Sequence, residues 1–402
     1  MFKQYIDNDS KWIEFLNSKL ETDFESKKEK EIFKNFIENK EYKTITTKLV
    51  KDEYIWSIPK KKVLNKNHTD KKRIVYSYNF DEMIVLKYIA FLMYEYDYLF
   101  EPNLYSFRKH VSVKQAINRL STYKNLKNMY GYKVDIKNYF NSVDIQIIIN
   151  NLKKDIKDKQ LLNLILNILE NKKVQYNNEI IEEDKGIMAG IPVSAFLANY
   201  YIKEIDSYFI NKNVIYLRYS DDIILFTNTK EEREKFSTKL KELLKSYNLI
   251  INTQKEYNYK PGEKWEFLGF SYQSGKIDIS DNSLHKIKGK IRRSARSIRR
   301  WMLKNNVPYE KALGVMIRKF NKKFYASKNS QLSWKYWFFP VINTSERLKI
   351  VDEYFQEHLR YIKTGKFNKK NYKEVPYDKL KELGYKPLVH EYYLFLNMKG
   401  DM

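Results

Sequence analysis

Hydrophobic and polar positions along the chain switch between a helical period and a strand period. The first fifty residues are charged and follow a helical pattern. Residues 54–62, YIWSIPKKK, and residues 71–79, KKRIVYSYN, predict two strands joined as a hairpin around NKNHTD, and residues 81–98 predict a helix. Because neither an internal repeat nor a low-complexity linker interrupts this pattern, we expect subdomains in close contact.

Two segments in the middle of the chain join an apolar element to residues with special backbone or charge. Residues 131–144, GYKVDIKNYFNSVD, predict a strand that ends at Asp135 and a helix that is capped by Asp144. At such a strand end, Asp135 can face a cleft or can simply cap the helix. Residues 183–206 place glycines and a proline ahead of a long apolar helix, which is typical of a ligand-binding loop and also of a structural turn.

The stretch YLRYSDDIIL, residues 216–225, sets two adjacent carboxylates, Asp221 and Asp222, between strand-forming residues. Such a pair is typical of the solvated tip of a hairpin. It also suits a metal site if further carboxylates converge on it. After this hairpin, the pattern predicts a charged helix over about 230–247 and a second hairpin over 265–272.

Asp135 and Asp221 are the carboxylates with which a metal site can be built. Two-metal phosphoryl transfer needs carboxylates from separate strands to meet at a pair of divalent cations roughly 3.5–4 Å apart. The chain has no Cys and five His, so oxygen atoms would be the ligands. Oxygen ligands favour Mg²⁺, with Mn²⁺ as the alternative. We therefore expect two Mg²⁺ ions as cofactors.

Composition is typical of a globular protein that binds a polyanion. The 402 residues are 43% apolar and 16% aromatic, which is enough for several packed cores. No run approaches the roughly eighteen apolar residues of a membrane span, and the first residues lack a signal peptide's apolar core, so we expect a cytoplasmic protein without membrane contact. The net charge of +25 favours a nucleic-acid partner, although a general enrichment in Lys, Asn, Ile and Tyr would also raise it.

Positive charge is concentrated between Lys286 and Lys304. This segment holds nine Lys or Arg, including five of the chain's thirteen Arg, and no acidic residue. Its apolar residues recur at spacings of four and three, which predicts a helix with one buried face. The residues of that face are Ile287, Ile291, Ala295, Ile298 and Met302. Because a solvated surface helix normally mixes both signs of charge, we predict that the other faces bind a phosphate backbone.

Taken in order, these motifs resemble those of the prokaryotic reverse transcriptases, the group that includes group II intron, retron and abortive-infection or defence-associated enzymes. KVDIKNYFNSVD is similar to their first catalytic motif, GIMAGIPVSAFLAN to the glycine loop and its helix, and YSDD to the catalytic hairpin. LIINTQK, EFLGF and KKRIVYSYNFDEMIVLKYIAFLM are similar to the lysine motif, the primer-grip hairpin and the fingers motif. The resemblance runs over about residues 54–305.

The resemblance implies an α+β right-hand polymerase with fingers, a palm with an antiparallel sheet and catalytic hairpin, a thumb and a helical C-terminal extension. The implied segments are an N-terminal helical extension (1–53), fingers (54–130), palm (131–150), a fingers and palm insertion with the glycine-loop helix (151–198), palm again (199–280), a thumb with the basic helix (281–345) and the extension (346–402). We interpret the late aromatic cluster as core rather than as a base-stacking surface. Its residues are Trp334, Tyr336, Trp337, Phe338 and Phe339.

The resemblance also implies site residues. Asp135, Asp221 and Asp222 are the implied catalytic carboxylates, and Asp135, Asp221 and the backbone of Ile136 are the implied metal ligands. The residues implied to bind the nucleotide are Lys72, Arg73, Phe140, Gly190, Pro192 and Lys255, with Gly186 and Ser194 shaping the pocket and Asn199 behind it. Phe140 is implied to exclude a 2′-hydroxyl, with a core aromatic as the alternative. The residues implied to bind primer and template are Gly269, Lys288, Arg292, Arg293, Arg296, Arg299 and Arg300.

One position departs from the family pattern. Where retron and intron enzymes usually have Pro-Gln-Gly, this chain has Met188, Ala189 and Gly190, so the amide expected at the incoming nucleotide is missing. We predict a Mg²⁺-dependent RNA-directed DNA polymerase that makes DNA from dNTPs on an RNA template or noncoding RNA, in bacterial antiviral defence. Template-independent or protein-primed synthesis stays open, as does a catalytically inactive RNA-binding scaffold. A partner defence protein or a homo-oligomer is also compatible with the sequence.

Overall fold

The computed structural model describes residues 2–20, 27–65, 72–184, 186–212, 214–326 and 333–400. The chain divides into two compact units. The first comprises Met1–Ala116 and Asn128–Pro261, and the second comprises Ile117–Lys127 and Gly262–Met402. The segment boundaries implied by the resemblance stay predictions.

Nineteen α-helices and eleven strands lie in the described ranges. The helices are α1 Phe2–Ile6, α2 Asp9–Leu20, α3 Lys27–Glu38, α4 Lys43–Val50, α5 Phe80–Leu92, α6 Val113–Ser121, α7 Tyr139–Ser142, α8 Ile145–Asp155, α9 Lys159–Glu170, α10 Ser194–Tyr201, α11 Lys203–Ile210, α12 Lys230–Ser246, α13 Asp281–Lys304, α14 Tyr309–Tyr325, α15 Trp334–Trp337, α16 Glu346–Thr364, α17 Asn371–Glu374, α18 Tyr377–Glu382 and α19 Leu388–Gly400. The strands are β1 Lys60–Asn65, β2 Lys72–Ser77, β3 Tyr130–Asp135, β4 Lys173–Tyr176, β5 Glu179–Glu182, β6 Ile215–Tyr219, β7 Asp222–Thr227, β8 Tyr257–Tyr259, β9 Trp265–Phe267, β10 Phe270–Gln273 and β11 Lys276–Ile279.

The helical prediction for the first fifty residues is confirmed by α1 to α4. These helices pack on α5 through a buried aromatic stack in which the ring of Trp12 lies 4.0 Å from Tyr42 and 3.9 Å from Tyr88, measured between ring centroids. The indole of Trp12 also donates a hydrogen bond of 2.9 Å to the carbonyl of Ile6. A buried Trp whose polar atom is satisfied fixes α2 against the rest of the first unit.

The predicted hairpin is present, but its first strand begins later than the sequence pattern indicates. β1 starts at Lys60, and it pairs antiparallel with β2 from Lys60 opposite Ser77 to Asn65 opposite Lys72. The prediction of a strand from residue 54 is therefore wrong. Pro59 has no N–H to donate to a ladder, so regular pairing begins after it. The turn predicted around NKNHTD lies outside the described residues except for Asn65, which ends β1. β4 and β5 complete this sheet in the order β2-β1-β4-β5.

The second sheet of the first unit is antiparallel, in the order β6-β7-β3-β8. β7 lies in its middle and is buried along almost its whole length: Ile223, Ile224 and Leu225 are each 0% exposed. Two of the predicted strands, the one that ends at Asp135 and the one that begins at Asp222, are neighbours in this sheet. The cap predicted for the next helix is also confirmed, because the Asp144 side chain accepts hydrogen bonds from the first-turn amides of α8.

The apolar helix predicted after the glycine loop is broken in two. α10 ends at Tyr201 and α11 begins at Lys203, so the prediction of one long helix is wrong. A side chain takes the place of a helical amide at the break: the hydroxyl of Tyr139 donates to the carbonyl of Ala198 at 2.5 Å. The helix predicted over 81–98 likewise ends at Leu92 and continues as a 3₁₀ helix over Met93–Leu99.

The second unit combines a three-stranded sheet, β11-β10-β9, with helices α13 to α19. The predicted apolar face of the basic helix is confirmed for the residues of α13 that are buried, namely Ile287, Ile291, Ala295 and Met302, while Ile298 is half-buried. The core interpretation of the aromatic cluster is confirmed for Trp334, Phe338 and Phe339. Tyr336 and Trp337 are half-buried. No helix in the described part of the chain is long and apolar enough to cross a membrane.

Candidate active site

Three carboxylates come together at one end of the antiparallel sheet. Asp135, the last residue of β3, lies opposite Asp222, the first residue of β7. Asp221 occupies the two-residue turn between β6 and β7, and its carbonyl accepts a hydrogen bond of 3.0 Å from the amide of Ile136. The other turn residue, Ser220, has φ +59°, which a tight hairpin turn requires of its first residue. The hairpin and β3 thus hold the predicted catalytic residues in register.

Two lysines lie beside these carboxylates. The ammonium of Lys255 is 2.6 Å from an oxygen of Asp135, and the amide of Asn252 donates to the other oxygen at 3.3 Å. The ammonium of Lys133 is 3.5 Å from an oxygen of Asp222. Asn252 is held in place by its own backbone, which donates to the carbonyl of Asp135 at 2.8 Å. Cationic side chains therefore compensate part of the negative charge at the strand ends.

Burial and neighbouring negative charges raise the pKa values of Asp221 and Asp222. Burial, followed by the charges of Asp135 and Asp222, raises the pKa of Asp221 to about 6. Burial also raises the pKa of Asp222, although the neighbouring Lys133 opposes this shift. Burial opposes protonation of Lys255, but its hydrogen bond to Asp135 and the surrounding carboxylates raise its pKa overall. The site therefore has excess negative charge that a cation stabilises.

A buried polar network supports the turn from behind. The guanidinium of Arg218, 0% exposed, forms an ion pair with Asp206 and donates to the carbonyl of Asn199 at 2.9 Å. The hydroxyl of Tyr216 donates to the same Asp206 carboxylate at 3.0 Å. The amide of Ser220 donates at 2.8 Å to the hydroxyl of Ser106, which in turn bonds to the Asn199 side chain. This network fixes the backbone from which Asp221 projects.

The glycine loop, which contains Gly186 and Gly190, makes close backbone contacts with Phe140 and with Tyr76 on β2. A Cβ added to Gly186 would lie 2.3 Å from the carbonyl oxygen of Phe140, and one added to Gly190 would lie 2.7 Å from that of Tyr76. The amide of Tyr76 on β2 donates to the carbonyl of Ala189 at 2.8 Å. Both glycines also have positive φ. Only a residue without a side chain permits this close backbone approach.

Ser194 closes the same loop. Its hydroxyl donates to the carbonyls of Ile187 and Met188, the latter at 3.0 Å. Pro192 and Phe140 are half-buried, and Phe140 packs edge-on against Phe107 with ring centroids 6.3 Å apart. Lys72 and Arg73 are exposed on β2. The residues predicted to bind the nucleotide therefore belong to the first unit together with the carboxylates.

Comparison with known proteins decides the family. Residues 58–272, more than half of the chain, match the family described as reverse transcriptase (RNA-dependent DNA polymerase). The chain belongs to the reverse transcriptase family. The matched range holds the β1–β2 hairpin, the glycine loop and all three carboxylates.

Two curated relatives and two solved structures are similar to parts of this reverse transcriptase. The chain is 31% identical over 141 residues to the retron Ec73 reverse transcriptase of Escherichia coli, covering 31% of this chain and 40% of the relative. It is 31% identical over 117 residues to the putative COX1/OXI3 intron 2 protein of Saccharomyces cerevisiae, covering 29% of this chain and 14% of the relative. The chain thus spans less than half of either relative.

Apo telomerase from Candida tropicalis has a TM-score of 0.46 at 13% identity, covering 89% of this chain and 74% of that one. Telomerase from Candida albicans in complex with a fragment of telomeric RNA has a TM-score of 0.44 at 10% identity, covering 90% of this chain and 70% of that one. The predicted fold class, an α+β polymerase of the right-hand type, is confirmed by the family match and by the antiparallel sheet with its hairpin.

The oxygen atoms at the strand ends of the reverse transcriptase domain suit a divalent cation. Within the described ranges, no three acidic or imidazole side chains are grouped so that they could hold a metal ion. The candidate ligands are instead Asp135, Asp221 and the backbone of Ile136. A Mg²⁺ site with one or two carboxylates normally completes its coordination with water and substrate phosphates. Burial, followed by the charges of Asp135 and Asp222, raises the pKa of Asp221, and this unfavourable ionisation is the observation that fits these residues to a cation.

The cations predicted to bind primer and template lie on α13 in the second unit of the reverse transcriptase. Arg292, Arg293, Arg296 and Arg300 are exposed there. Arg299 differs, because its guanidinium donates two hydrogen bonds of 2.8 Å to the last carbonyls of α16, at Ile362 and Lys363. The ammonium of Lys288 lies 5.1 Å from the ring of Tyr354. Gly269 occupies the turn between β9 and β10 with φ +91°.

Sequence reasoning missed several residues that position this site. Lys133 had a readable signal, because alternate residues of a strand share a face and Lys133 stands two positions before Asp135. Arg218 and Asp206 had no such signal. Their pairing depends on where α11 packs against β6, which the spacing of apolar residues does not specify.

Proposed function

We propose that this protein is an RNA-directed DNA polymerase that transfers deoxynucleotides by two-metal chemistry. The observation that carries the proposal is the register of the hairpin, in which Asp135 lies opposite Asp222 and Asp221 occupies the turn beside them. Carboxylates from separate strands at one sheet end are what nucleotidyl transfer requires. Family membership supports the same reaction class.

In this proposal, Asp135, Asp221 and the Ile136 carbonyl hold two Mg²⁺ ions, with Mn²⁺ as a substitute. The chemistry supplied by such ions is activation of a 3′-hydroxyl and stabilisation of the charge that develops on the transferred phosphoryl group. Lys133 limits the repulsion at Asp222. Lys255, now paired with Asp135, carries the charge and the proton that a departing pyrophosphate would need.

The first test is primer extension on an RNA template with labelled dNTPs and Mg²⁺. Asp221→Asn keeps the shape of the side chain but removes its charge, so we expect incorporation to fall on the order of a thousandfold, consistent with the several kcal/mol that metal stabilisation supplies. Glu242→Gln removes an exposed carboxylate of α12 and serves as the matched control. If Asp221→Asn extends the primer as the wild type does, the role proposed for Asp221 fails. If the wild type itself does not extend the primer, the catalytically inactive RNA-binding scaffold becomes the better account.

We further propose that the pocket selects deoxynucleotides through Phe140. Phe140 follows the strand of Asp135, and its carbonyl accepts a hydrogen bond of 3.0 Å from the Ile187 amide of the glycine loop. A half-buried ring at this place can close the space that a 2′-hydroxyl would need. We expect Phe140→Ala to raise rNTP incorporation relative to dNTP by about tenfold or more, since steric selection of this kind is worth about 1–3 kcal/mol.

The control for this selectivity test is Phe107→Ala, which removes the ring that packs on Phe140 but leaves Phe140 in place. The ratio of kcat/KM for dATP and ATP is the measurement. An unchanged ratio in Phe140→Ala would mean that the ring is only part of the core.

Whether the template is read at all depends on the loop at Ala189. The carbonyl of Ala189 accepts a hydrogen bond from the backbone amide of Tyr76. The methyl side chain of Ala189 offers no amide group to a nucleotide. Template-independent or protein-primed synthesis is therefore the second candidate function. Sequencing the DNA made on a defined RNA distinguishes the two, because only templated synthesis yields its complement.

We propose that the biological setting is bacterial antiviral defence, with a noncoding RNA, a partner defence protein or a second copy of the chain as partners. This rests on the motif resemblance to defence-associated enzymes. The test is the plating efficiency of phages on bacteria that carry the wild type or Asp221→Asn. Equal plating efficiency on the two kinds of bacteria would contradict the defence role. It would leave the proposed polymerase activity standing.

A further inference from the structure

One acidic side chain lies between the β1–β2 hairpin and the glycine loop. Glu183 directly follows the last residue of β5 and comes three residues before Gly186. Its side chain is 21% exposed, whereas that of the next residue, Asp184, is 92% exposed. Because a carboxylate is withdrawn from water only at a cost, the burial of Glu183 requires partners that its exposed neighbour does not need.

The partners of Glu183 stand directly opposite each other on the hairpin. Lys61 of β1 pairs with Tyr76 of β2 in the register of the two strands. The Lys61 ammonium forms an ion pair with one oxygen of Glu183, and the Tyr76 hydroxyl donates a hydrogen bond of 2.8 Å to the other oxygen. Lys61 is half-buried and Tyr76 is buried. Hydrogen bonds of an ionised group in such surroundings are stronger than those between neutral groups.

Tyr76 also contacts the glycine loop through its backbone. Its amide donates to the carbonyl of Ala189 at 2.8 Å, and a Cβ added to Gly190 would lie 2.7 Å from its carbonyl oxygen. One residue of β2 is therefore bound to Glu183 before the loop and to two residues within it. Burial, followed by the hydrogen bond to Glu183, raises the pKa of the Tyr76 hydroxyl, which keeps it protonated and able to donate.

We propose that Glu183 is a positioning residue that holds the β1–β2 hairpin against the glycine loop and so sets the affinity for the incoming dNTP. Lys72 and Arg73, which are predicted to bind the nucleotide, lie on the same strand as Tyr76, and Gly190 lies in the loop. This inference rests on the proposed polymerase function. A contact that is present both before and during the reaction contributes to nucleotide binding and not to the chemical step, so its loss raises KM and leaves kcat.

The test is a double-mutant cycle in the full chain. Tyr76→Phe removes only the hydroxyl, Glu183→Ala removes the carboxylate, and a third variant carries both changes. If the hydroxyl acts through Glu183, the effects are not additive, and the double variant behaves like Glu183→Ala alone. Glu183→Gln is the conservative variant, because its amide oxygen still accepts from Tyr76 although the charge facing Lys61 is lost. Asp184→Asn is the matched control, since it neutralises the adjacent exposed carboxylate.

Primer extension on an RNA template gives kcat and KM for dATP, and thermal unfolding shows that each variant is folded. We expect Glu183→Ala to raise KM by about tenfold and Tyr76→Phe by about threefold, with kcat changed by less than about twofold. Glu183→Gln is expected to lie between Glu183→Ala and the wild type, and Asp184→Asn is expected to match the wild type. If Glu183→Ala does not fold, Tyr76→Phe alone decides, because it removes one hydroxyl.

Equilibrium binding of dATP in the presence of Mg²⁺, measured by calorimetry, distinguishes failure of this inference from failure of the proposed function. A wild type that binds dATP but makes no DNA would contradict the polymerase function, and the same cycle would then be measured in Kd. Four results would overturn the role of Glu183: an unchanged KM or Kd in the variants, additive effects in the cycle, a fall in kcat without a rise in KM, or a wild type that binds no dATP.

Discussion

At the scale of single residues, the site is defined by charges that repel each other. Asp221 stands beside Asp135 and Asp222, and burial, followed by these two charges, raises its pKa to about 6. Lys255 and Lys133 reduce the repulsion without removing it. A divalent cation that binds beside these carboxylates stabilises their ionised form, which burial and repulsion oppose in its absence.

Asp221→Asn is therefore expected to stabilise the protein in EDTA at pH 8. The pKa of Asp221 in the folded protein lies above its ordinary value of 3.8, so the folded state holds this proton more tightly than the unfolded chain. The stability that comes from this group is present at low pH and is lost as the pH rises through about 6. We expect the variant to gain on the order of 1 kcal/mol at pH 8 and little at pH 4.

Urea unfolding of wild type and Asp221→Asn at the two pH values measures this difference. Asp184→Asn is the control, because that carboxylate is 92% exposed. A gain in the free energy of unfolding that is the same at pH 4 and pH 8 would show that the unfavourable ionisation of Asp221 is not its cause.

At the scale of elements, close backbone approach holds the glycine loop against its neighbours. Gly186 meets the carbonyl of Phe140, and Gly190 meets that of Tyr76 on β2. These contacts link the β1–β2 hairpin, the loop and the segment that follows Asp135. A displacement at one of them moves the residues that are proposed to surround the nucleotide.

Gly186→Ala is expected to destabilise the protein and to raise the KM for dNTP. The added Cβ would lie 2.3 Å from a backbone oxygen, so the loop must shift. The control is Gly275→Ala, whose φ of +89° imposes similar backbone strain but whose Cβ meets nothing within 4 Å. We expect Gly186→Ala to cost about 1–3 kcal/mol more than the control in free energy of unfolding. Equal losses in the two variants would assign the effect to backbone strain alone.

At the scale of the whole molecule, the sequence predicts local features better than the contacts between distant segments. The hairpin at Asp221, the cap at Asp144 and the buried face of α13 each follow from a short pattern that the structure confirms. The break between α10 and α11 does not follow from a short pattern. It arises where the side chains of Tyr139 and Arg218 donate hydrogen bonds to carbonyls of α10. The packing of α13 against α14, where the ammonium of Lys319 donates to the hydroxyl of Ser294, is likewise not specified by the periodicity of either helix.

Net charge is also a property of the whole chain. The excess of +25 indicates a polyanionic partner but does not say where it binds. The structure divides the arginines of α13 into exposed ones, namely Arg292, Arg293, Arg296 and Arg300, and Arg299, whose guanidinium binds the end of α16. The two groups call for separate substitutions, because removing them together would lower the affinity for nucleic acid without showing which group contributes.

The measurement that tests the central claim most directly is sequencing of the DNA that the purified protein makes from dNTPs and Mg²⁺ on a defined RNA, beside Asp221→Asn. We predict DNA complementary to that RNA from the wild type and none from the variant. DNA that is unrelated to the RNA would contradict templated synthesis. Equal DNA from both proteins, or none from the wild type, would contradict the assignment of the three carboxylates.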